Sequence, residues 1–160
     1  MLPLRVINIY PETIVDGEGL RYSIYFSGCI HHCKGCQNPD TWAYQQGTVL
    51  DEDFQNRIFE QINNNPLLSG VTLSGGDPMF NPEALLDFLK KLKKRTKANV
   101  WCYTGYVCED LLKDPLRSKC LKYIDVLIDG PFVLEKRDVN LEFRGSSNQR
   151  IIHLRKGLPC

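Results

Sequence analysis

No run in this sequence approaches the roughly 20 consecutive apolar residues of a membrane-spanning helix, so a helical membrane protein is excluded at the outset. Net charge is almost absent: 20 Lys and Arg face 19 Asp and Glu, for a formal charge of +1. A chain so balanced has no bulk pull toward nucleic acid or an anionic membrane. The first residues, Met1-Leu2-Pro3-Leu4-Arg5, lack the charged-then-apolar order of a secretory signal. Internal repeats, low-complexity tracts and linker-like stretches are missing too. The simplest reading is therefore a single domain over 1–160, long enough for a core of its own. A complete eight-stranded barrel, which takes about 200 residues or more, does not fit. The seven cysteines are odd in number, and this argues against a disulfide framework. Reduced thiols in the cytoplasm are the expectation.

What is present begins with those cysteines. Three fall within eight residues, in Gly28-Cys29-Ile30-His31-His32-Cys33-Lys34-Gly35-Cys36. Spacings of three and then two residues let all three thiolates face one metal centre. They cannot fill four tetrahedral positions by themselves. Two chemistries answer that shortfall. A zinc knuckle takes Cys29, Cys33 and Cys36 with His31 or His32 as its fourth ligand. A 4Fe-4S cluster takes the three thiolates and leaves one iron open, able to bind and activate a small molecule.

Along the chain, Arg5 to Ile9 and Tyr22 to Phe26 read as strands rich in β-branched and aromatic residues. Between them, Val15-Asp16-Gly17-Glu18-Gly19-Leu20-Arg21 reads as a turn. Asp51 is placed to cap a helix running to about Asn63, with Phe54, Ile58 and Ile62 repeating every four residues. Gly70 to Ser74 reads as a buried strand. Asn81-Pro82 then opens a second helix with Leu85, Leu89 and Leu92 as its inner stripe, widened by Leu86 and Phe88. Its end is crowded by Lys90, Lys91, Lys93, Lys94, Arg95 and Lys97. These read as a solvated face that suits the helix dipole, the alternative being a dock for an acidic electron donor. Asn99 to Tyr103 and Asp125 to Ile128 are further strands, separated by helical material to about Tyr123 that breaks at Pro115. Ile151 to Leu154 is a short last strand.

Val71, Val100 and Val126 recur at 26 to 29 residues with helices between them. That is the rhythm of right-handed βαβ units and a parallel sheet. At this length the expected architecture is α/β, a partial, open (β/α) barrel. Ligands of such sheets collect at the carboxyl ends of the parallel strands. Three segments fall there besides the cysteine loop: Thr72-Leu73-Ser74-Gly75-Gly76-Asp77-Pro78, Trp101-Cys102-Tyr103-Thr104-Gly105-Tyr106 and Asp125-Val126-Leu127-Ile128-Asp129-Gly130-Pro131. Paired glycines let main chain approach a ligand closely. Read on their own, Trp101 is core, Cys102 a small buried hydrophobe and Asp129 a turn acid.

Taken together, these segments resemble a known family. The spacing C-x3-C-x2-C is that of radical S-adenosylmethionine (SAM) enzymes. Gly35 stands where most of that superfamily has an aromatic residue, which fits a subgroup reading C-x-H-x-C-x-G-C. Gly75-Gly76-Asp77-Pro78 resembles the superfamily's G-G-E-P, and Asp16-Gly17-Glu18-Gly19-Leu20-Arg21 resembles the D-G-P-G-x-R turn of glycyl-radical-enzyme activases. Glu18 replaces the proline, which implies a less rigid turn. With W-x-Y-T-G-Y, D-V-x-x-D-G and Arg144-Gly145-Ser146-Ser147-Asn148-Gln149-Arg150, six ordered motifs from about Ile9 to Ile152 resemble the anaerobic ribonucleoside-triphosphate reductase activating proteins.

The resemblance implies a partial barrel of the radical SAM type, with Cys29, Cys33 and Cys36 as ligands of a 4Fe-4S cluster. It implies SAM as the second cofactor, bound around Gly75, Gly76, Asp77, Thr104 and Asp129, with Asp77 and main chain holding the methionyl amino group. No side chain is expected to carry the chemistry, which belongs to the cluster and SAM. A flavodoxin-like or other low-potential donor would supply the electron. The partner would be the anaerobic reductase, whose glycyl radical loop yields a Cα hydrogen to the 5′-deoxyadenosyl radical. Arg144 and Arg150 are candidates for the SAM carboxylate, for the partner or for surface ion pairs. Cys102, Cys108, Cys120 and Cys160 receive no role. The rival readings are an activase of another glycyl radical enzyme such as pyruvate formate-lyase, a small-molecule radical SAM enzyme, an electron-carrying iron–sulfur protein and a zinc-stabilised binding module.

Overall fold

The computed structural model describes residues 2–29, 31, 43 and 45–154. Cys33, Cys36, His32 and Cys160 therefore lie outside the described residues. Seven strands are described: β1 (Arg5–Thr13), β2 (Arg21–Phe26), β3 (Thr48–Val49), β4 (Gly70–Gly75), β5 (Asn99–Tyr103), β6 (Val126–Asp129) and β7 (Arg150–His153). Four helices join them: α1 (Glu52–Asn63), α2 (Pro82–Arg95), α3 (Cys108–Lys113) and α4 (Pro115–Leu121).

All seven strands form one open sheet in the order β3-β1-β2-β4-β5-β6-β7. Its centre, β2-β4-β5-β6, is parallel, as the valine rhythm predicts. The flanks are antiparallel, with β1 pairing β2 and β3 on one side and β7 pairing β6 on the other. The architecture is thus mixed α/β with an unclosed sheet.

Alternation along the strands sorts side chains between two faces. Tyr22, Ile24, Phe26, Val71, Leu73, Val100, Cys102 and Leu127 belong to one large core cluster with Leu85, Leu89 and Leu92 of α2 and Ile58 and Ile62 of α1. On the opposite face, Trp101, Val126 and Ile128 form a smaller cluster with Tyr103, Phe143 and Ile151. Polar residues occupy the rest of that second face: Arg21, Ser23 and Thr72 are buried there with no described helix over them.

Local sequence explains the elements. The Asp51 side chain accepts from Phe54 N–H at 2.8 Å, as an N-cap should. Pro82 stands in the first turn of α2, and the Asn81 amide, instead of capping, donates to the Leu2 carbonyl. Pro115 divides the helical stretch into α3 and α4, with Asp114 capping the second. β1 extends to Thr13, past the expected Ile9, through Pro11, where the ladder to β2 shifts register between Tyr10 and Thr13. A missing N–H costs little at such an irregularity. The two-residue β3 has no alternation to reveal it in the sequence.

The basic end of α2 is the solvated face expected, with Lys90, Lys91, Lys94, Arg95 and Lys97 exposed and Lys93 alone partly covered. Lys93 donates to Asp125 Oδ2 at 2.7 Å and to the Ala98 carbonyl at 3.0 Å, and Lys91 pairs with Asp87 at 3.0 Å. Because α2 runs back from the end of β4 to the start of β5, these cations sit at the amino ends of the strands. That is the far end from the cysteine loop, a poor place for an electron donor to dock.

Candidate cofactor site

Beyond the carboxyl ends of β4, β5 and β6, on the face without helices, lies an open cavity of about 310 Å³. Ligand pockets span about 300–1,000 Å³, so this one suits a small molecule. The Cys29 thiol and His31 line one side, and Gly75 and Gly76 offer bare main chain beside them. Asp16 puts an acid on the wall and Arg144 a cation. Tyr25, Tyr103, Phe132 and Phe143 supply flat apolar surface.

The Asp16 wall is built by Arg21. This guanidinium, 1% exposed, donates through Nε to Thr72 Oγ1 at 2.8 Å and through Nη2 to the Val71 carbonyl at 2.9 Å. Nη2 also reaches the Asn99 carbonyl and side chain, and Nη1 holds the Glu18 carbonyl at 3.0 Å. Burial lowers the Arg21 pKa to about 10. Thr72 Oγ1 donates in turn to the Asp16 carbonyl at 2.7 Å. Gly17, at φ +131°, takes a conformation that side chains rarely adopt, and a Cβ there would meet Arg21 and Trp101 at 2.8–2.9 Å. Arg21 thus fastens this turn, in which Glu18 stands between the two glycines. The Asp16 carboxylate accepts from the Tyr25 hydroxyl at 2.7 Å. Burial, with this carboxylate beside it, pushes the Tyr25 pKa well above the ordinary tyrosine range.

The far wall comes from the segment after β6. Gln149 Oε1 accepts from Gly145 N–H and Ser146 N–H, while its Nε2 donates to the Gly130 carbonyl at 3.0 Å. Asn148 donates to the Pro131 carbonyl at 2.8 Å. The R-G-S-x-N-Q-R motif is therefore largely a bracket that folds its own loop onto the D-G-P turn. Phe143, the one non-glycine among the described residues at positive φ (58°), is held edge-on to Trp101 at 5.3 Å.

The expected site residues fall into two groups. Cys29, Gly75, Gly76 and Thr104 line the cavity. Asp77 and Asp129 stand behind it, each 2% exposed or less. Asp129 accepts from Arg150 and, at 2.8 Å, from Cys108 N–H, tying β7 to the start of α3; Arg150 also holds Glu109. Of the two candidate arginines, Arg150 is spent on these acids and Arg144 faces the cavity. Cys33 and Cys36 lie outside the described residues. Among those described, no three His, Cys, Asp or Glu side chains make a metal site; the Cys29 thiol is partly exposed, and Cys102 and Cys120 are buried.

Sequence reasoning missed Asp16, Tyr25, Phe132 and Phe143 as wall residues. For Tyr25 the signal existed, since it alternates with the core residues Ile24 and Phe26 and must point to the other face. Phe132 and Phe143 lie on irregular chain, where no periodicity marks them.

One partly exposed thiol, Cys29, lines this cavity. A family model described as a 4Fe-4S single cluster domain matches residues 15–152. The anaerobic ribonucleoside-triphosphate reductase-activating protein of Haemophilus influenzae is 39% identical over 94% of this chain and 97% of its own length. Its namesakes in Pasteurella multocida (40% identical, 92% of this chain and 96% of theirs) and Escherichia coli (38%, 91% and 96%) match as well. No helix among the described residues is long and apolar enough to cross a membrane. With a cluster-domain match across most of its length and near full-length relatives of one name, the chain belongs to the family of anaerobic ribonucleoside-triphosphate reductase-activating proteins.

Proposed function

We propose that this protein is a radical SAM activase that generates the glycyl radical of an anaerobic ribonucleoside-triphosphate reductase. The observation that carries this reading is the cavity: one thiol of the C-x3-C-x2-C loop, bare main chain, an acid, a cation and aromatic walls converge on it. In this reading the open sheet, with helices on one face only, is the partial barrel of the radical SAM type.

Cys29, Cys33 and Cys36 would hold the cluster, three thiolates for its four irons. When bound and reduced, cluster and SAM together supply a 5′-deoxyadenosyl radical that takes hydrogen from the partner's glycine Cα. The chain's own residues bind and orient. Main chain around Gly75 and Gly76 would receive the methionyl amino group, since the Asp77 carboxylate is engaged elsewhere. Arg144 is placed for the carboxylate, and the aromatic walls keep water from the reacting atoms. Asp129 would act indirectly, by fixing the loop that carries Gly130. The electron would come from a low-potential carrier such as a flavodoxin, in the cytoplasm.

Anaerobic reconstitution with iron and sulfide, followed by dithionite and SAM, tests the reading. Wild type should carry close to four iron and four sulfide per chain and form 5′-deoxyadenosine, and Cys33→Ala should form none. A fully loaded wild type that gives no product, with the partner reductase added, overturns the mechanism. Uptake of one zinc in place of iron would instead establish a binding module.

A further inference from the structure

His31, the middle residue of the C-x-H-x-C run, has no role in the chemistry described above. Yet its ring is held on several sides. Nε2 lies 2.7 Å from Asp77 Oδ2. A carboxylate can only accept here, so the ring donates. The imidazole packs edge-on against Tyr106, with centroids 4.6 Å apart and planes at 80°. It also fills the space over Gly105, where a Cβ would lie 2.4 Å from the His31 ring. Gly105 has no left-handed backbone to explain it. Its glycine is required because His31 sits there.

Asp77 is equally committed. Its Oδ1 accepts from Met79 N–H at 2.9 Å, and its Oδ2 accepts from Thr104 Oγ1 at 3.0 Å, Gly105 N–H at 2.9 Å and His31. Behind this contact stands α4. The Arg117 guanidinium lies 4.6 Å from the Tyr106 ring centre, and its Nε donates to the Met79 carbonyl at 2.9 Å. The ring of His31 therefore joins three motifs distant in sequence: the cysteine loop, G-G-D-P at the end of β4 and T-G-Y at the end of β5. Histidine at 31 and aspartate at 77 fit as a pair.

We propose that His31 is a positioning residue that clasps the cluster loop to the ends of β4 and β5, and that the Asp77 carboxylate serves as its receiver rather than as a ligand of SAM. This rests on Cys29, Cys33 and Cys36 holding the cluster, and not on SAM being cleaved. Outer residues that fix metal ligands are worth about 10–100-fold in metal affinity, and His31 would act in this way through the backbone that carries Cys29, not by touching a ligand.

The test uses the reconstituted full-length chain and follows cluster loss to an iron chelator under anaerobic conditions, with no SAM present. His31→Ala and Asp77→Asn should each speed the loss by about tenfold or more. The double variant should be no faster than the quicker single one, because both remove the same contact. His31→Gln, which keeps an N–H donor, should recover much of the wild-type rate, and thermal melting of the apo forms shows whether each variant folds. The reduced cluster's EPR signal should broaden in His31→Ala and sharpen again in His31→Gln. Wild-type loss rates in a folded His31→Ala, or additive effects in the double variant, would overturn the proposal. Failure of Cys33→Ala to reduce cluster content would instead strike at the ligand assignment. SAM binding adds a separate outcome: Asp77→Asn should weaken it no more than His31→Ala does, whereas a loss confined to Asp77→Asn would make Asp77 a ligand after all.

Discussion

Arg21 shows how far a single side chain can determine a site that it never enters. Its guanidinium joins β2, β4 and the start of β5 on the face without helices, and it holds the Glu18 carbonyl of the turn that carries Asp16. Among the described residues no carboxylate pairs with it, and its charge rests on carbonyl and side-chain oxygens and on the Trp101 ring at 5.2 Å. Replacing it by methionine keeps an apolar stem but leaves those buried acceptors without a donor. Hydrogen bonds to charged groups are worth about 1.5–3 kcal/mol, and Arg21→Met should lower the urea-unfolding free energy by at least that much. Arg21→Lys should recover only part, since one ammonium cannot reproduce a fork. A methionine variant as stable as wild type would show that the turn stands without it. The motif D-G-x-G-x-R made Arg21 visible in the sequence. Its partners were not visible, because Thr72 and Asn99 lie 51 and 78 residues away.

Among the elements, α2 is the one most plainly written in the sequence. Leu85, Leu89 and Leu92 repeat at helical spacing, and all three are fully buried against β2, β4 and β5. Leu89→Ala should cost about 2–5 kcal/mol, the range for a leucine whose cavity collapses only partly. Denaturant unfolding measures it, and a loss below 1 kcal/mol would mean that the helix repacks. Other elements were harder to read. The central strands announced themselves by unbroken apolar runs, while β3 is too short for a pattern and β1 runs on through a proline. The cavity follows the same division. Its floor of paired glycines and its thiol were legible as motifs, but its aromatic walls come from alternation on the opposite face and from the irregular chain 130–149. The clasp between His31 and Asp77 joins residues 46 apart, which no local pattern can announce.

At the scale of the whole molecule, the sheet separates a partly exposed cysteine from buried ones. Cys29 is partly exposed at the cavity, whereas Cys102 and Cys120 are buried in the core on the helix side. Burial pushes the Cys120 thiol up to about 12 and Cys102 well above the ordinary range. Tyr22 likewise rises to about 12, and Tyr103 is raised by burial. Each of these acids stays protonated in the fold beyond the pH at which the unfolded chain ionises it. The unfolded state therefore binds fewer protons above about pH 9, so stability falls as pH rises. The contribution is present in full below the unfolded thiol value of about 9 and is lost progressively toward 12. Urea midpoints of the reduced apo chain should be level from pH 7 to 8.5 and then drop steeply by pH 10.5. Cys102→Ala with Cys120→Ala should flatten the first part of that fall, because the tyrosines begin to ionise only about one pH unit later. An unchanged slope in the double variant would assign the fall to the tyrosines alone. The buried thiols would then contribute shape, not titration, to the core that holds the cavity in place.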